Sequence, residues 1–258
     1  MIFLSFDIEE FDVPCDYGAK YSPEKDGIEV SCHGTEQILN LLEREEVKAT
    51  FFCTAVFASS KPNLIQKMVK SGHEIASHGF SHSKNDDKKL GESKEILERI
   101  TGVQIKGFRQ PRMGKIENSK LREAGYLYHA SINPTFIPGH YCNLSVNRTP
   151  HYNDGVLTIP VSVSPFFRIP MFWLSFHHFP LTLYKWLTLW ILHKEGQFNT
   201  YFHPWEFYPL NQHDEYNLPY IIKRRSGEVL MKRLEAFIRF AKERGESFGV
   251  YSQYLDNV

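Results

Sequence analysis

Four cysteines in 258 residues, Cys15, Cys32, Cys53 and Cys142, include no C-x-x-C pair. That excludes a thiolate zinc centre or a disulfide framework as the organising device of the chain. A charge surplus is missing too, since 30 Lys and Arg balance 30 Asp and Glu. Nonspecific binding to nucleic acid needs a basic excess to neutralise phosphates, so no nucleic-acid partner is expected. No apolar run is long enough to span a bilayer, and the longest, around 172–192, is interrupted by Pro180 and Lys185. The opening MIFLSFDIEEFD lacks a basic leading region and soon reaches Asp7. It reads as a buried strand rather than a signal peptide, and a cytoplasmic location is expected. Repeats, low-complexity tracts and linkers are absent as well, which leaves residues 1–258 as one expected domain.

What is present is a globular composition, 42% apolar and 23% charged, which excludes a disordered chain. Aromatics reach 14% and are dense between Phe136 and Tyr220. Such a surplus serves a thick core or a sugar-stacking surface equally well. In the first half, strand-like and helix-like segments alternate. Ile2–Phe6, Lys48–Cys53, Glu74–Ser77 and the stretch ending at Phe108 and Arg109 read as strands. Gly34–Glu46, Asn63–Ser71, Lys88–Thr101 and Ser119–Ala124 read as helices. Further on, Val156–Val163, Thr200–Phe202 and Ser247–Tyr251 read as strands, and Leu181–His193 and Glu228–Arg244 as helices. This βαβα rhythm predicts an α/β fold, a parallel sheet or a barrel.

Two clusters carry chemistry. Asp7-Ile8-Glu9-Glu10-Phe11-Asp12 follows the first strand. In extended chain Asp7 and Glu9 point to one side, where barrels place catalysis; a solvated acidic loop is the bland alternative. Ser77-His78-Gly79-Phe80-Ser81-His82 holds histidines at i and i+4, which on a helical turn would share a face and a cation. With 12 histidines in the chain, that spacing alone is weak. Its position after a strand, opposite an acid cluster, strengthens it. Two imidazoles and one carboxylate with water positions open would make a catalytic metal site.

Taken in order, five segments resemble carbohydrate esterase family four, the NodB-homology polysaccharide deacetylases. They are Ser5-Phe6-Asp7, Lys48-Ala49-Thr50-Phe51-Phe52, Gly72–His78 with Ser81-His82, Phe108-Arg109-Gln110-Pro111, and Tyr201-Phe202-His203-Pro204-Trp205-Glu206. The D-x-E start, Ile159-Pro160-Val161-Ser162 and the HPWE ending resemble most a subgroup associated with exopolysaccharide synthesis. The resemblance implies a distorted or incomplete (β/α) barrel of the NodB-homology, glycoside hydrolase–deacetylase type. It implies a metal-dependent hydrolase that removes N-acetyl groups from N-acetylhexosamine units of a polysaccharide or its precursor. The metal would be a divalent ion, zinc foremost, with cobalt, nickel or manganese as alternatives.

The same resemblance assigns roles. His78 and His82 would ligate the metal, and Asp7 would be the general base. Arg109 would hold that base, and His203 would protonate the departing amine. Position 8 is Ile where many members carry a second, metal-binding aspartate. Glu9 is the natural substitute, with Glu10 and Asp12 as fallbacks. Pro111, Trp205 and Glu206 are expected at the substrate, and Asp154 is the candidate to orient His203. His73, His177, His178 and His193 read as structural or surface residues.

Finally, LTLYKWLTLWIL (residues 181–192) is apolar around most of its circumference, so as a helix it is either buried or leaves an apolar patch. The second option predicts a peripheral membrane or lipid-linked-glycan contact through 172–192. Other functions compatible with the sequence are a noncatalytic glycan-binding protein on the same barrel and an amidohydrolase of a small nonsugar substrate.

Overall fold

The computed structural model describes residues 1–83, 87–139 and 141–256. Its strands are β1 (Ile2–Ile8), β2 (Thr50–Cys53), β3 (Glu74–Ser77), β4 (Gly107–Phe108), β5 (Tyr128–His129), β6 (Phe136–Ile137), β7 (Tyr141–Cys142), β8 (His151–Asn153), β9 (Val156–Thr158), β10 (Phe198–Phe202) and β11 (Phe248–Gly249). The main sheet runs β10-β1-β2-β3-β4-β5-β9-β8, and β11 pairs with the start of β1. All pairings from β10 to β9 are parallel, and the β8–β9 hairpin is antiparallel. β6 and β7 form a separate two-stranded ribbon. Past β9 the chain bends back to β10. There the Ser162 N–H donates to the Asn199 carbonyl (3.0 Å), and Asn199 Nδ2 donates to the Pro160 carbonyl (3.1 Å). The sheet is thereby curled into a distorted, incomplete (β/α) barrel with helices outside. The extended reading of Val156–Val163 shortens to Val156–Thr158 because Pro160 has no N–H for a ladder.

β1 shows how the sequence builds this curl. Ile2, Leu4, Phe6 and Ile8 face outward under the helices. Phe3 packs with Phe52, Tyr128, Leu157, Tyr251 and Tyr254 in the barrel interior. With period two, Ser5 and Asp7 share the inward side of Phe3. Every residue of β1 is buried, as expected for a strand covered on both faces. The outer layer includes helices Ile28–Arg44, Pro62–Lys70, Leu90–Thr101, Leu181–Glu195 and Glu228–Glu243. The first begins six residues before the predicted segment. It needs glycine at position 34, where a Cβ would lie 1.8 Å from the Pro204 carbonyl oxygen. That close approach seats the turn Pro204–Phe207 against the helix.

Helix Leu181–Glu195 divides between its two expected readings. Tyr184, Leu187 and Ile191 are buried, whereas Trp186 is 58% exposed and Leu183 42%. Trp186 and Trp190 lie 5.5 Å apart by ring centroid, and Phe166 lies 5.9 Å from Trp190. Phe166 and Phe167 are both more than three-quarters exposed. Among the described residues, no helix is long and apolar enough to cross a membrane.

Candidate active site

The strands deliver their chemistry at their C-terminal ends, where barrels of this kind carry function. Asp7 ends the inward row of β1, and Glu9 follows it. His78 follows β3, its N–H donating to the Cys53 carbonyl (2.8 Å). Arg109 follows β4, and His203 follows β10. Residues over 100 positions apart therefore meet because parallel strands all finish on one rim.

Glu9, His78 and His82 each offer one ligand atom, and these atoms lie within 4.8 Å of one another. Glu9 Oε2 stands 3.1 Å from His78 Nε2 and 3.2 Å from His82 Nε2. All three side chains are buried. The other imidazole nitrogens are occupied: His78 Nδ1 meets the Arg109 carbonyl (2.9 Å) and His82 Nδ1 meets Asp12 Oδ1 (2.8 Å). With each Nδ1 held by its outer partner, each Nε2 is the nitrogen turned toward Glu9, the orientation that metal-binding histidines take from such partners. Burial opposes ionisation of Glu9, but His82, His203 and His78 overcome it and hold the carboxyl far below its usual range. A carboxylate and two imidazoles that converge in a buried pocket fit a divalent cation.

The histidines do not share a helical face. Residues 78–82 form an irregular loop that turns at Gly79, φ +78°. The first N–H groups of helix Ala55–Ser60 hold this loop: Ala55 donates to the Gly79 carbonyl and Val56 to that of Phe80, each at 3.0 Å. Glu10 Oε2 accepts from Thr54 Oγ1 (2.9 Å) and from the His82 N–H (3.3 Å). The two fallback ligands therefore stand behind the cluster. Glu10 pins the loop, and Asp12 sits between His82 and Arg112 Nη2 (3.1 Å).

Arg109 is fully buried and has no free direction. Its Nη1 donates to Asp7 Oδ1 (2.5 Å), Nη2 to Ser5 Oγ (3.0 Å) and Nε to the Ala130 carbonyl (2.9 Å), with the Phe52 ring 4.1 Å away. Asp7 Oδ2 then faces His203 Nε2 at 4.0 Å. Behind His203, Glu206 Oε1 takes both its Nδ1 (2.8 Å) and its backbone N–H (2.6 Å). The second oxygen of Glu206 meets His177 Nε2 at 2.8 Å. Burial disfavours the charged imidazolium of His203, but Glu206, Glu9 and Asp7 outweigh it and push its pKa up to about 9.

A cavity of about 420 Å³ opens on these groups and is lined by Asp7, Glu9, His78, His82, Tyr201 and His203, with Trp173 and Trp205 among its walls. The expected substrate residues separate here. Trp205 lines the cavity, although it is only 2% exposed. Pro111 is buried against Gly79, and Glu206 has no exposed surface, because a carboxylate holding two imidazoles cannot also reach the cavity. Asp154 lies far from His203 in the β8–β9 turn beside Arg122 (3.9 Å). Sequence reasoning missed Glu206 as the partner of His203, and it missed the placement of His177. The i,i+3 spacing of His203 and Glu206 was the available signal for the first; nothing local announced the second.

The family model described as polysaccharide deacetylase matches residues 26–129. The chain is 34% identical over 97 residues to the peptidoglycan-N-acetylglucosamine deacetylase of Bacillus cereus, covering 35% of each protein. It is 30% identical over 105 residues to the peptidoglycan-N-acetylmuramic acid deacetylase PdaA of Bacillus subtilis, covering 38% of this chain and 40% of that one. The match thus spans well under half the length of these curated relatives. A crystallised Mycobacterium smegmatis protein assigned as a polysaccharide deacetylase superposes with TM-score 0.68 at 18% identity, over 100% of this chain and 89% of that one, a likeness of fold. The family model and these curated relatives each match less than half of this chain, and the solved structure is similar to it in fold.

Proposed function

We propose that this protein is a metal-dependent N-deacetylase acting on N-acetylhexosamine units of a polysaccharide or its biosynthetic precursor. One observation carries the reading. A buried Glu9–His78–His82 donor set shares a cavity with a carboxylate, Asp7, and an imidazole, His203, that face each other at 4.0 Å. The names of the two Bacillus relatives, one for N-acetylglucosamine and one for N-acetylmuramic acid, support the hexosamine class. The D-x-E and HPWE segments support placement in exopolysaccharide synthesis.

A divalent cation held by Glu9, His78 and His82 would polarise the scissile carbonyl and make water a stronger acid. Asp7, fixed through Oδ1 by Arg109, takes the water proton on the oxygen that faces the cavity. His203 carries the second proton transfer. An amine is expelled poorly as an anion, so the leaving nitrogen must be protonated as the C–N bond breaks. Glu206, held on Nδ1 of His203, favours the protonated imidazole that this step needs. Glu206 holds its Nδ1, so Nε2 is the nitrogen that faces the cavity. Chelation should abolish acetate release from an N-acetylglucosamine oligomer, and added zinc or cobalt should restore it. Full activity in His78→Ala or His82→Ala would overturn the reading.

A second feature bears on where the substrate is met. The exposed Phe166, Phe167 and Trp186, with the half-buried Trp190 beside them, support a peripheral contact with a membrane surface or a lipid-linked glycan near 172–192. Vesicle co-sedimentation that is absent, or unchanged by Trp186→Ser with Trp190→Ser in folded protein, would remove that part.

A further inference from the structure

The oxygen of Glu9 that does not face the histidines is also held. Trp205 Nε1–H donates to Glu9 Oε1 at 3.0 Å, across 196 positions of sequence. We propose that Trp205 is a positioning residue for the metal: its indole N–H reserves Oε1, so that Glu9 presents only Oε2 between His78 and His82. The inference rests on the metal reading above and concerns this chain's own residues.

Three features make this more than a satisfied indole. First, the ring has little freedom to choose another partner. Phe11 stacks on it at 5.1 Å (26° between planes), His203 stacks at 4.8 Å (19°), and Trp173 meets it edge-on at 5.6 Å. The turn that carries it is pressed onto helix Ile28–Arg44 at the point where Gly34 leaves room for Pro204. Second, the ligand needs it. A glutamate reaches the histidines through one more methylene than an aspartate has, and each extra torsion costs order unless something fixes it. Fixing Oε1 sets the terminal torsion and withdraws that oxygen from coordination, leaving room for water and substrate. Third, an indole is a donor only, so it can hold a carboxylate oxygen without competing for the cation. The same ring stacks on His203, so the group that orients the ligand also orients the acid.

The test replaces the N–H and keeps the ring. Trp205→Phe and a variant with benzothienylalanine at 205, which retains the bicyclic shape with sulfur in place of N–H, are compared with the wild-type chain. Zinc affinity is measured by competition with a chromophoric chelator, and coordination by the visible spectrum of the cobalt-loaded protein. Zinc affinity should fall by about 10–100-fold, the usual effect of losing an outer partner of a metal ligand. The cobalt absorption should weaken as Oε1 enters the coordination sphere and the coordination number rises. Affinity and spectrum equal to wild type would overturn the inference while leaving the metal reading intact. A wild-type chain that binds neither zinc nor cobalt would overturn the metal reading, and this inference with it. If Trp205→Phe does not fold, the isosteric variant decides.

Discussion

Two glutamates in the same barrel show what separates a structural acid from a candidate metal ligand. Glu74, at the start of β3, is surrounded by neutral donors. Its Oε2 accepts from Thr50 Oγ1 (2.8 Å) and the Ser252 N–H (3.0 Å), and its Oε1 from Tyr128 Oη (2.9 Å). Burial raises its pKa despite these bonds. Glu9 lies past the far end of β1, two strands away in the sheet, faces two imidazoles and an indole, and is driven the other way. Burial of a carboxyl is common to both. Only Glu9 shares a cavity with further titratable groups. The end of the strand, rather than the residue type, decides which glutamate can hold a cation.

That comparison can be broken in graded steps. His78→Ala and His82→Ala should reduce deacetylation to background, because each removes one of three ligands; acetate release at fixed zinc checks this. His203→Ala should lower kcat by about 10²–10⁴-fold, the span of a general acid, with metal affinity close to wild type. Comparable metal loss in His203→Ala would show that the imidazole belongs to the ligand set. Glu74→Ala should leave kcat unchanged but cost about 1–3 kcal/mol of stability by stranding buried donors, read by denaturant unfolding. An activity loss without destabilisation would erase the distinction between the two glutamates. Gly34→Ala should destabilise by a similar ~1–3 kcal/mol, since its Cβ must displace the Pro204 backbone, and should weaken zinc binding through Trp205.

The smallest effect is in pH. Burial lowers His73 from 6.5 to about 4, and likewise His129. Their neutral forms are favoured in the fold, whereas the unfolded chain takes up protons first. Their contribution to stability is full above pH 6.5 and is lost as pH falls towards 4. Replacing either by glutamine should flatten the stability profile in that window, as read by urea midpoints.

Much of the candidate site was legible because it lies at strand ends, where apolar runs stop at charged residues. Asp7, Glu9, His78, Arg109 and His203 all follow such runs, and each sits on the barrel rim. His82 was found through a spacing rule whose premise, a helical turn, the loop at Gly79 does not satisfy. Glu206 was noticed but misplaced, since sequence shows that it is near His203 without showing which side it faces. His177 and the Trp205–Glu9 bond could not have been found locally. Their partners are 29 and 196 positions away, and the second contact forms only where β10 lies beside β1.

By itself the sequence determined the alternation of strands and helices, the inward row of β1 and the residue types available to hold a cation, because these follow from side-chain period and chemistry along a short stretch of chain. Only the tertiary structure decided which oxygen of Glu9 is free, which carboxylate stands behind His203 and how the sheet curls. Those outcomes depend on distances between segments that meet through packing, and no local pattern encodes them.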